Sequence, residues 1–182
     1  MHRLAHLFWS LGLIMTFSVG TAAAQDPENT LHMDLEAGRV VIELRSDIAP
    51  QHAARLKELA REGFYDGVVF HRVIPGFMAQ TGDPTGTGTG GSDKADLPAE
   101  FSNEPFERGT IGMARTMNPN SANSQFFINF VRTPHLDGQY TIVGEVVEGM
   151  EHIDQIAAGE PPANPDRILQ MRVAADAETE GG

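Results

Sequence analysis

The sequence predicts a mainly β protein, a closed β-barrel with helices at its mouths. Three observations predict it. Short runs of alternating apolar and polar residues recur along the chain, each bounded by turn formers. Only two stretches carry a helical apolar stripe. Long loops separate the runs, and the 182 residues include 19 Gly and 11 Pro. That length favours one domain with a sizeable core. A hydrophobic content of 41% is too high for a disordered chain.

Residues 1–24 stand apart from the fold. His2 and Arg3 precede an uncharged apolar run from Leu7 to Gly20, which ends in Thr21-Ala22-Ala23-Ala24. A basic start, a short apolar stretch and an Ala-x-Ala end describe a secretory leader cut after Ala24. The run falls short of the roughly 20 residues of a spanning helix. No second long apolar run is present, so no membrane association is expected once the leader is gone. A periplasmic or secreted protein is therefore expected.

The elements of residues 25–175 can be taken in chain order. Leu31–Leu35 and Val40–Leu44 alternate around the turn Glu36-Ala37-Gly38 and predict a hairpin. Asp47 with Pro50 starts a helix and Gly63 stops it, with Ala53, Leu56, Leu59 and Ala60 on one face. Val68–Val73 and Phe77–Gln80 are strands around Pro75-Gly76. Residues 81–98 are a glycine-rich loop. Ile111–Ala114, Gln125–Phe130 and Tyr140–Val147 are further strands, and Met150–Ala158 is a second helix. Ile168–Val173 is the last strand. The acidic residues 176–182 are expected to be a flexible tail.

Charge and composition exclude several chemistries. A net charge of −12 argues against nucleic acid, itself a polyanion. Loss of Arg3 with the leader makes the balance more acidic still. With no cysteine there is no disulfide, thiolate metal site or thiol nucleophile. The glycine-rich stretch Thr81–Gly91 lacks the Gly-Lys-Ser/Thr ending of a phosphate loop. His32, His52, His71, His135 and His152 have no partner at metal-ligand spacing, so no metal or cofactor is expected. No Gly-x-Ser-x-Gly elbow is present.

One stretch offers something else. Phe70-His71-Arg72-Val73-Ile74-Pro75-Gly76-Phe77-Met78-Ala79-Gln80 sets one arginine among large apolar residues. If the Pro75-Gly76 break folds Arg72 against Phe77 and Met78, an apolar pocket results, with a fixed cationic donor and the Gln80 amide. Gln125-Phe126-Phe127-Ile128-Asn129-Phe130 is a candidate second wall. The residues alone leave open a surface ion pair for Arg72 and plain core packing for the aromatics.

The stretch closely resembles the signature of the cyclophilin family of peptidyl-prolyl cis-trans isomerases, in its exported bacterial branch. Gly88-Thr89-Gly90-Gly91, Gly109-Thr110-Ile111-Gly112-Met113-Ala114, Ser124-Gln125-Phe126-Phe127-Ile128 and Leu136-Asp137-Gly138 occur in the family's order. The resemblance spans about residues 29 to 174. It implies a closed eight-stranded antiparallel barrel capped by two α-helices. It also implies a monomeric isomerase and folding helper, without cofactor, acting on proline-containing polypeptides.

Such chemistry needs no nucleophile. The X-Pro amide rotates over a barrier of ~18–20 kcal/mol because its C–N bond has partial double-bond character. A site that prefers the twisted amide lowers that barrier. By resemblance, Arg72 donates to the prolyl nitrogen, whose lone pair is freed by twisting, and Gln80 holds the substrate backbone and the arginine. Phe77, Met78, Phe127 and Leu136 match the pocket for the proline ring. Ala114 and Arg115 match the positions beside which the substrate chain runs, and Gln125 borders the same groove. His71 is expected on the opposite face, in a structural role.

Two departures bear on the inhibitor cyclosporin. His135 stands where many eukaryotic members carry tryptophan, and Tyr140 where they carry histidine, so weak cyclosporin binding is expected. Arg115 replaces an asparagine at a contact made largely through backbone. Two rival readings are a proline-binding chaperone without turnover and a secreted barrel for a small ligand. The first would bind peptide without rate enhancement; the second requires the Arg72 set to be a coincidence.

Overall fold

The computed structural model describes residues 25–179. The proposed leader and residues 180–182 lie outside them. Eight strands form, in the expected order: β1 (Thr30–Leu35), β2 (Gly38–Leu44), β3 (Arg72–Ile74), β4 (Met78–Thr81), β5 (Thr110–Met113), β6 (Phe126–Asn129), β7 (Ile142–Glu148) and β8 (Gln170–Val173). The third begins only at Arg72, rather than spanning the expected Val68–Val73, and Val69 makes just an isolated bridge. They pair antiparallel in one sheet of order β3-β4-β6-β5-β7-β2-β1-β8.

The expected closed barrel is instead an open, curled half-barrel. β3 and β8 are its two edges, and no ladder joins them. Only isolated bridges cover the β3 side: Val69 with Arg167 and Val73 with Gly159. The physical reason is length. β3 holds three residues and β8 four. Proline-rich chain between β7 and β8 occupies the gap, and proline cannot donate to a ladder.

The concave face carries the main core. Leu31, Met33, Val40, Ile42, Ile111, Met113, Phe126, Ile128, Met171 and Val173 alternate inward from their strands. Helix α1 (Pro50–Arg61) closes one mouth with Ala53, Leu56, Leu59 and Ala60, the stripe read from the sequence. Its N-terminus has no side-chain cap of its own. Glu100 supplies one from a distant loop, accepting from the Gln51 and His52 amides at 3.2 Å and from His52 Nδ1 at 2.6 Å. Asp47, expected at the helix start, is instead paired with Arg45.

Helix α2 is shorter than expected, Met150–Ile153. A third helix, α3 (Ala174–Thr179), replaces the start of the expected flexible tail. Asp176 is tied down there by Arg61, which also pairs with Glu28. Local composition carries no trace of a partner 115 positions away.

Candidate active site

The convex face of the sheet builds the site. β3 and β4 are joined by the turn Ile74-Pro75-Gly76-Phe77, closed by Phe77 N–H donating to the Ile74 carbonyl at 3.0 Å. Gly76 sits at φ 72°, the left-handed position after proline in a type II turn. The turn sets the register. Arg72 lies opposite Gln80, Gln80 opposite Phe127 and Phe127 opposite Gly112. Val73, Ala79, Phe126 and Ile128 are buried in the concave core. Strand alternation therefore sends Arg72, Gln80 and Phe127 to the convex side as one row across three strands.

A second, smaller apolar cluster forms under that row: Met78, Phe106, Phe127, Leu136 and Ile142. Phe127, 5% exposed, stacks on Phe106 with ring centroids 5.9 Å apart and meets Tyr140 edge-on at 5.6 Å. Gly112 makes the stack possible: a Cβ there would overlap the tip of Phe127 and come within 2.7 Å of Phe106 Cε1. Asp137 fixes the lower ring by accepting from the Phe106 amide at 2.9 Å. This gives the Leu136-Asp137-Gly138 segment a structural purpose.

The result is an open cavity of about 130 Å³. Phe77, Met78, Phe127, Leu136 and Tyr140 line it, with Arg72 and Gln80 on one wall and Ala114 and Arg115 on another. Nine of the predicted site residues are thus brought together. Two are not. Gln125 lies behind Gln80 and lines an adjoining polar cavity of about 460 Å³. His135 is exposed and touches the site only through Phe77, with ring centroids 5.6 Å apart. Arg115 does more than present backbone. Its guanidinium lies 4.3 Å over the Tyr140 ring and donates to the carbonyls of Gln139 and Thr116.

A hydrogen-bonded chain orients Arg72. The carbonyls of Gly88 and Gly90 can only accept, so the Gln125 amide turns its NH2 to them at 3.1 and 2.8 Å. Its oxygen then accepts from Gln80 Nε2 at 2.8 Å. That leaves Gln80 Oε1 to face Arg72 Nη1 at 3.4 Å. The site thus presents an oriented guanidinium beside a small apolar hollow. No carboxylate, imidazole or thiol is among the residues lining that hollow.

The chain begins at Asp83. This fully buried carboxylate accepts from the amides of Thr85, Thr87, Gly88 and Gly90 and from the Thr85 hydroxyl. Burial alone would raise its pKa, but these donors prevail and hold it at about 2. A depressed carboxylate pKa stabilises the fold above the unfolded value, and that stability is lost as pH falls toward the folded value. Asp83→Asn is therefore expected to lose about 2 kcal/mol at pH 7, read by urea unfolding. The gap should narrow between about pH 4 and pH 2. A gap unchanged at about pH 3 would contradict the role given to these donors.

His71 is buried outside the apolar hollow, against Gly88, but it lines a separate open cavity together with Arg72, Gln80 and Glu160 rather than lying wholly on the opposite face from them. Burial pushes its pKa down, Arg72 adds to this and Asp83 opposes it. Sequence reasoning missed Phe106 and Glu160. Phe106 sits in a run with no alternation to mark it. Glu160, 88 positions from Arg72, accepts from its Nε at 2.6 Å. The spacing within a motif could not have revealed either.

Comparison with known proteins agrees with this geometry. Residues 30–173 match the family "Cyclophilin type peptidyl-prolyl cis-trans isomerase/CLD". A probable peptidyl-prolyl cis-trans isomerase of Brucella suis is 55% identical over 175 residues, covering 87% of this chain and 89% of the relative. The crystal structure of a Hirschia baltica cyclophilin superposes with a TM-score of 0.77 at 29% identity, covering 83% of this chain and 76% of that one. A Cryptosporidium parvum cyclophilin crystallised in the presence of the dipeptide Ala-Pro gives 0.75 at 28% identity, over 79% of this chain and 98% of that one. With the family matched along nearly the whole described fold, the chain belongs to the cyclophilin-type peptidyl-prolyl cis-trans isomerases.

Proposed function

We propose that this isomerase acts on exported proteins as they fold, and that Arg72 carries its chemistry. The observation behind the mechanism is the position of the guanidinium at the lip of the apolar hollow, oriented by Gln80. A proline ring has no N–H and loses nothing by entering such a hollow. With the ring held by Phe77, Met78, Phe127 and Leu136, the acyl side of the amide is the part that rotates. As it twists, conjugation is lost and the prolyl nitrogen regains its lone pair. An N–H of Arg72 then donates to that nitrogen. The interaction is stronger in the twisted state than in either planar one, so it lowers the barrier. Gln80, Ala114, Arg115 and Gln125 border the path of the substrate backbone. His135 and Tyr140 shape the rim, where the absence of tryptophan supports weak cyclosporin binding. The proposal takes the isomerase to act as a monomer.

The exported setting rests on the leader-like composition of residues 1–24. Expression of the full chain in a bacterial host with an outer membrane tests it. The soluble periplasmic form is expected to begin at Gln25. Recovery of that form with Met1 retained would overturn the proposal of a cleaved leader.

A further inference from the structure

We propose that Glu160 is a positioning residue for Arg72, holding the guanidinium in its working direction. The inference rests on the reading of Arg72 given above. Val73 and Gly159 exchange both backbone hydrogen bonds, at 2.8 and 2.9 Å, as an antiparallel bridge on the free edge of β3. In that register the residue before Val73 faces the residue after Gly159. Arg72 is therefore flanked by Gln80 on its β4 side and by Glu160 on its open side. The cross-strand row that builds the site has one more member than the sheet has strands there.

The two flanking contacts are unequal. Arg72 Nε donates to Glu160 Oε1 at 2.6 Å, while Nη1 reaches Gln80 Oε1 only at 3.4 Å. The first is short and charge-assisted, the second long and neutral at its acceptor. A guanidinium has five N–H donors in a rigid plane. Committing the Nε–H to Glu160 fixes that plane and leaves Nη hydrogens for the substrate. Without Glu160, one long contact would restrain a side chain that is 42% exposed. The segment carrying Glu160 is itself anchored. Ala157 N–H donates to Asp166 at 2.7 Å, and Pro161 and Pro162 stiffen the chain just beyond Glu160. Exposed ion pairs contribute little to stability, so the effect should fall on turnover rather than on folding.

The test is steady-state isomerisation of a proline peptide by wild type, Glu160→Ala, Glu160→Gln, Arg72→Ala and the Arg72→Ala/Glu160→Ala double variant. Glu160→Ala is expected to lower kcat about fivefold with KM changed less than about twofold. Glu160→Gln keeps an acceptor and is expected to recover part of the loss. Adding Glu160→Ala to Arg72→Ala should cost nothing further. The Arg72 Nε–H resonance, sharp and shifted in wild type, should broaden in Glu160→Ala. Wild-type kcat in Glu160→Ala, or the same proportional loss in the Arg72→Ala background, would overturn the inference. Wild-type kcat in the Arg72→Ala single variant would instead overturn the reading of Arg72.

Discussion

Replacing Arg72 with alanine is expected to lower kcat for X-Pro isomerisation by about 100-fold, the usual cost of one transition-state donor. KM should move by no more than about threefold, because the planar substrate does not offer the prolyl lone pair. The fold should be untouched. Arg72 opens an edge strand, its side chain is 42% exposed, and its partners Glu160 and Gln80 retain access to water. Arg72→Lys is expected to recover little, since an ammonium lacks the planar fork that meets Glu160 and Gln80 together. The check is a proline-peptide assay alongside thermal unfolding. An Arg72→Ala variant with wild-type kcat would overturn the role given to Arg72, whereas a wild type that binds peptide without accelerating isomerisation would favour the reading without turnover.

Phe127→Ala is expected to cost about 3 kcal/mol of stability, the low end for truncating a buried phenylalanine. In a chain of this size that is about 9 °C in Tm. The ring is 5% exposed and touches both Phe106 and Tyr140, so its loss opens a void that two partners border. Phe127 also lines the hollow, and Met78 and Leu136 cannot close it alone. KM should therefore rise together with the loss of stability, unlike the pattern expected for Arg72→Ala. Calorimetry and the same kinetic assay read the two effects. A Tm within about 2 °C of wild type would show that the Phe106–Phe127 stack does not support the convex cluster.

These contrasting outcomes reflect where each residue sits in the sheet. Arg72 and Phe127 share a row, but one closes an edge and the other lies between β4 and β5. Much of that row is legible in the sequence. The Pro75-Gly76 pair marks the reversal that sets Arg72 against Gln80, and alternation in Phe126-Phe127-Ile128 assigns Phe127 to one face. What alternation cannot express is distance along the chain. Glu160 reaches Arg72 only because the Gly159 bridge covers the free edge of β3. Phe106 reaches Phe127 only because Asp137 holds its amide and Gly112 omits a side chain. The open edge of the barrel escapes the sequence for a related reason. A period of two specifies which face is buried, not whether the first and last edges meet.

The order of the strands, the amphipathic α1, the family and most of the residues around the hollow were legible in the sequence, although the third strand begins at Arg72 and not at Val68. These properties live in periodicity, in turn chemistry and in motifs a few residues long. Only the folded chain reveals that the sheet stays open, that Glu100 caps α1, and that Arg72 stands between Gln80 and Glu160. Each depends on groups far apart in the chain coming within hydrogen-bonding reach. A hydrogen bond is decided by angstroms, and local composition carries no information about them.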